Sequence, residues 1–173
     1  GAMMAVGGYL YLRGWPEDYD LWLRLIARGA RFAKVPAVLH VWREHDDRLT
    51  RTDARYATRS FLACKAAHLA DGPLADAEAV LVWGAGPTGR RLLADLQVRG
   101  VPIVACIDVA PRKIGGRLRG VPVVGPESLP PAPVAGERLR LITAVGARGA
   151  RALLRRRLTA AGWVEGRDFW CAA

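Results

Sequence analysis

From about residue 79 onward, short apolar runs alternate with stretches of helical period. Residues 79–83, 101–107 and 139–145 read as strands, and such near-continuous apolar runs suit strands buried on both faces. Between them, residues 90–99 and 149–161 read as helices, closed by Gly100 and Gly162. Val121, Pro122, Val123 and Val124 form a short strand whose proline places it near an edge. Residues 169–171 add a final strand. This alternation predicts an α/β fold with right-handed crossovers: a Rossmann-like open parallel sheet with helices on both faces.

The pattern before residue 70 differs. Pro16, Glu17 and Asp18 open a helix with acids in its first turn, where the helix dipole favours them. Leu21, Trp22, Leu25 and Ile26 then share one face, and Gly29 ends the element. Residues 32–42, broken at Pro36, predict one or two strands, and residues 54–69 a second helix. So short a segment buries little apolar surface, and one strand pair makes no self-sufficient sheet. It is therefore expected to pack against the second domain or another chain, which leaves a homo-oligomer open. Residues 71–79, with Gly72-Pro73 and three acids, read as a linker. Residues 1–3 read as a tag scar, 4–70 as a partial domain and 80–173 as the Rossmann-like domain.

Charge sharpens this division. Of the net +10, residues 80–173 contribute 15 basic against 6 acidic side chains. Such a balance suits phosphorylated ligands or anionic surfaces. No aromatic-interleaved basic stripe accompanies it, so no nucleic-acid partner is expected. No apolar run reaches the length of a membrane span. The three cysteines, Cys64, Cys106 and Cys171, show no metal or disulfide spacing. They read as buried thiols of a cytoplasmic protein, and no metal site is expected.

Candidate chemistry gathers at Gly84-Ala85-Gly86-Pro87-Thr88-Gly89. This GxGxxG follows a strand and opens a helix, the context in which the pattern holds a phosphate. Gly84 permits the turn, Gly86 lets the backbone approach a pyrophosphate, and Gly89 lets helix and strand pack closely. Free N–H groups and the helix dipole attract the anion, and Thr88 can add a hydroxyl. Asp108, at the end of the second strand, is placed to accept from ribose hydroxyls. Arg112 and Lys113 follow it and would meet an extra phosphate, so NADP, coenzyme A and nucleotide-sugars stay open beside NAD; alternatively the pair is a solvated loop. A second loop holds Gly146 and Arg148, the latter a phosphate partner or a plain surface arginine. No hydride-transfer constellation accompanies these loops.

The run Trp15-Pro16-Glu17-Asp18-Tyr19-Asp20-Leu21-Trp22 resembles the ED motif of family 2 glycosyltransferases of the GT-A fold, and the likeness extends over residues 7–69. The resemblance implies Asp18 as catalytic base, Glu17 as acceptor-positioning, and Trp42, Arg43 and His45 near the donor diphosphate. The family's amino-terminal half, with its Asp-x-Asp metal motif, has no counterpart here. A divalent metal is thus expected only in a longer enzyme. Residues 107–129 resemble the amino-terminal nucleotide-binding domain of sugar acyltransferases. Together these resemblances imply a fragment of a nucleotide-sugar-dependent glycosyltransferase of polysaccharide biosynthesis, inactive alone. Two alternatives remain: a non-catalytic NAD(P)- or nucleotide-sugar-binding module, and an interaction scaffold with vestigial glycine loops.

Overall fold

A computed structural model of the chain describes residues 1–10 and 14–173. By contact density they divide into two compact units, Gly1–Cys64 and Lys65–Ala173.

The first unit contains α1 (Ala2–Ala5), α2 (Glu17–Ala27), α3 (Leu49–Thr52), a 3₁₀ turn at Ala54–Tyr56 and the start of α4 (Thr58–Asp71). Glu17, Asp18 and Asp20 sit in the first turn of α2 and complement its dipole. Leu21 and Leu25, one turn apart, are its buried apolar residues. Asp20 is buried too, and its carboxylate accepts from Arg24 Nε at 2.8 Å. The same guanidinium donates to the carbonyls of Val6 and Gly8, so it ties α2 to the chain before it. The strands expected within residues 32–42 do not form. Val38, Leu39 and Val41 are 92, 76 and 82% exposed. Strand-forming side chains need neighbouring strands to pack against, and this stretch has none among the described residues.

In the second unit, α4 leads through a turn to β1 (Ala79–Trp83). Then come α5 (Pro87–Val98), β2 (Ile103–Ile107), β3 (Arg117–Leu118), β4 (Val121–Val124), β5 (Leu139–Thr143), α6 (Ala150–Ala160) and β6 (Phe169–Cys171). They build a six-stranded sheet in the order β3-β4-β2-β1-β5-β6. All neighbours are parallel except β3 with β4. β4 lies one strand in from the edge. The edge itself is the two-residue β3, too short to leave a pattern in the sequence.

Both faces of the sheet are covered. Val80, Val82, Cys106 and Ile142 pack with Leu92, Leu93 and Leu96 of α5 and with Ala66 and Leu69 of α4. Leu81, Trp83, Ile107 and Leu141 face the other way, onto Leu154 and Leu158 of α6 and onto Trp163. Alternate residues of β1 thus serve opposite layers, which is why its run is apolar throughout. The stretch read as a linker also differs: Leu74 and Ala77 pack into the α4–α5 layer. The acids around them face outward, and the sparse apolar residues carry the packing. No described helix is long and apolar enough to cross a membrane.

Candidate functional site

β1 is flanked by β2 on one side and β5 on the other. The helix after β1 covers one face of the sheet and the helix after β5 the opposite face. The two connections therefore diverge and leave a crevice at the carboxyl ends of the strands, where open α/β sheets bind ligands. A cavity of about 600 Å³ lies there, lined on one side by Gly84, Gly86, Pro87 and Thr88. Asp108, Val109, Ala110 and Lys113 line it beyond β2. Val145, Gly146, Ala147, Ala150, Leu153 and Leu154 form an apolar wall beyond β5.

Each glycine of the loop meets a different constraint. Gly84 has φ +122°, and its N–H donates to Ile107 O at 2.7 Å. A methyl there would lie 2.9 Å from the Ala144 carbonyl oxygen. At Gly89 a methyl would lie 1.7 Å from Gly84 O, so α5 can approach β1 only through glycine. Gly86 is the opposite case: a methyl meets nothing within 4 Å. It caps α5 without a side-chain hydrogen bond, and Pro87 follows at the first turn. Among the described residues, the N–H groups of Gly86, Thr88 and Gly89 meet no protein acceptor. The start of this 12-residue helix thus presents unpaired donors and the positive end of its dipole beside the cavity. Thr88 Oγ1 lies 3.2 Å from where a Gly146 methyl would stand, so glycine at 146 lets the two loops lie close.

Asp108 is 7% exposed and heavily engaged. Its Oδ2 accepts from Ala85 N–H and from Lys113 Nζ, both at 2.8 Å. Its Oδ1 accepts from Ala110 N–H at 2.9 Å. Burial pushes this carboxyl up, but the Lys113 ammonium and the Ala110 and Ala85 N–H groups together hold it below the usual carboxylate range. The residue expected to grip a ribose therefore also pins the glycine loop to the end of β2. Burial pushes the neighbouring Cys106 thiol up to about 11, so it stays protonated.

No protein-family model matches this chain, and no curated protein does. Among solved structures, it is similar to RSP, a Rex-family repressor, with 20% identity and a TM-score of 0.43 over 61% of this chain and 49% of that one. It is also similar to RSP in complex with beta-NADH, with 22% identity and a TM-score of 0.42 over 57% and 47%. The chain spans about half the length of these structures. None of these comparisons supports a glycosyltransferase segment.

The remaining predicted site residues fall outside this cavity. Arg112 and Arg148 are exposed and do not line it. Glu17 is half-buried and accepts from the Tyr56 hydroxyl, with Arg55 Nη1 at 3.6 Å from its other oxygen. That hydrogen bond, helped by burial, raises the Tyr56 hydroxyl to about 12. Asp18 accepts from the N–H of Tyr19 at 2.7 Å. Trp42, Arg43 and His45 are exposed in chain without helix or strand. Trp42 carries the Arg48 guanidinium 4.4 Å from its ring centroid. Among the described residues, no hydrogen bond or ion pair joins these three to Glu17 or Asp18. The sequence reading missed the apolar wall from Val145 to Leu154. It also missed the Asp108–Lys113 bridge, whose signal was opposite charges five positions apart across a tight turn.

Proposed function

We propose that residues 65–173 form a nucleotide-binding module without chemistry of their own. The diphosphate would sit on the N–H groups of Gly86, Thr88 and Gly89, and the nucleoside would lie along the cavity toward Val109 and Ala147. The observation that carries this reading is the unfilled cradle at Gly86. There, unpaired backbone donors of a long helix border a cavity of nucleotide size at the point where the strand order diverges. An anion there gains charge-assisted hydrogen bonds from donors that nothing else satisfies. The apolar wall removes the base from water.

Glycosyl transfer by residues 7–69 is not part of this reading. Glu17 is engaged by Tyr56 and Arg55, and the expected donor-side residues lie in exposed, irregular chain.

Calorimetric titration with NADH, NADPH, coenzyme A and UDP-sugars tests the module. At least one should bind with micromolar affinity or better and be lost in Gly86→Val. A Cβ at this position meets nothing within 4 Å and φ is an ordinary −85°, so the fold should persist. Absence of binding by every ligand, or unchanged binding in Gly86→Val, contradicts it.

A further inference from the structure

In a Rossmann-like site the carboxylate at the end of the second strand meets the ligand's ribose. A free carboxylate there accepts from both vicinal hydroxyls and repels any phosphate attached to them. Asp108 is not free. Ala85 N–H, Ala110 N–H and Lys113 Nζ already donate to it. A carboxylate offers roughly four lone-pair sites. What is left on Oδ1 does not suffice to hold both hydroxyls.

Lys113 changes the charge of the same corner. It lines the cavity, its side chain remains 31% exposed, and its ammonium has N–H donors beyond the one given to Asp108. Asp108 and Lys113 together are neutral, so a phosphate arriving there meets no net repulsion and finds a cation with donors to spare. The backbone N–H groups of Ala85 and Ala110 fix Asp108, and Asp108 in turn fixes Lys113, which limits the entropy lost when the lysine engages a ligand.

We propose that this site takes a nucleotide whose ribose carries a phosphate monoester, with Lys113 as the partner of that phosphate. The proposal rests on the nucleotide reading above and names the ligand class within it. A ribose 2′-phosphate, as in NADPH, and a 3′-phosphate, as in coenzyme A, share this chemistry.

Calorimetric titration of the whole chain with two matched pairs tests it: NADPH against NADH, and coenzyme A against dephospho-coenzyme A. In at least one pair the phosphorylated member should bind about tenfold tighter or more, an advantage that shrinks with added salt. The pair that shows it identifies the source. Lys113→Met should abolish or reverse the advantage, because it removes the cation and frees Asp108 Oδ2 for a ribose hydroxyl; an unchanged circular dichroism spectrum shows that the variant is folded, and Lys113→Arg should retain the advantage. Equal or weaker binding of the phosphorylated member in both pairs overturns the preference and leaves the nucleotide site standing. So does an advantage that survives Lys113→Met. Failure of all four ligands to bind overturns this inference; failure of the UDP-sugars as well overturns the nucleotide reading with it.

Discussion

The two units of this chain treat strand-forming sequence in opposite ways. In residues 65–173, Val80, Leu81, Val82 and Trp83 all disappear into the sheet, none more than 6% exposed. In residues 1–64, Val38, Leu39, Val41 and Trp42 are equally suited to a strand and remain 61–92% exposed. The difference lies in partners. β1 has a parallel strand on each side and a helix layer on each face. The earlier stretch has neither among the described residues. An apolar run is therefore a requirement for neighbours, and it becomes a strand only where the chain supplies them.

If this comparison holds, substitutions in the second unit should be costly in proportion to how closely its layers meet. Gly89→Val should have the largest effect, at least about 3 kcal/mol of stability by urea denaturation, because its side chain would enter the space of the Gly84 carbonyl. Leu141→Ala, at a fully buried strand position, should cost about 2–5 kcal/mol. Gly86→Val, three positions from Gly89 in the same loop, should change stability by less than about 0.5 kcal/mol. It should nevertheless weaken ligand binding about a hundredfold, and that split would separate the loop's structural glycine from its binding one.

Asp108→Asn should cost about 1–3 kcal/mol by the same denaturation, since an amide NH₂ cannot accept from donors that the carboxylate now satisfies. The pH dependence has a definite sign. The folded Asp108 carboxyl lies below its ordinary value of 3.8. Its contribution is thus complete above about that pH and is lost as pH falls through the lower folded value. Acid denaturation of the wild type should therefore contain a step that the asparagine variant lacks.

In the first unit, Glu17→Gln should bring the Tyr56 hydroxyl down from about 12 toward its ordinary value of 10, read by ultraviolet titration of the phenolate. The smallest effect belongs to Val38→Ser, within about 0.5 kcal/mol of wild type. A large loss there would mean that the exposed run does pack, and would break the comparison.

Much of the second unit was legible in the sequence because its signals are local. Short apolar runs marked five of the six strands, and a glycine loop between strand and helix marked the turn after β1. What escaped depended on contacts remote in sequence. β3 exists only through its pairing with β4. The stretch 71–79 looked like a linker because its apolar members, Leu74 and Ala77, are few and scattered among acids, yet both face a core assembled by distant strands. Asp108 was placed correctly at a strand end, but its saturation by Ala85, Ala110 and Lys113 is a matter of geometry that no spacing rule reports. Arg112 and Arg148 lie on the loops that the sequence marks, yet both are exposed and neither lines the cavity, because loop position alone does not say which way a side chain turns.

The central claim is that backbone donors at the start of α5 grip an anion. Amide-resolved NMR of the labelled protein, titrated with the tightest-binding nucleotide from the panel, tests it most directly. The Gly86, Thr88 and Gly89 N–H resonances should move first and furthest and approach saturation together. Movement confined to other amides, with these three unshifted at saturation, would contradict it.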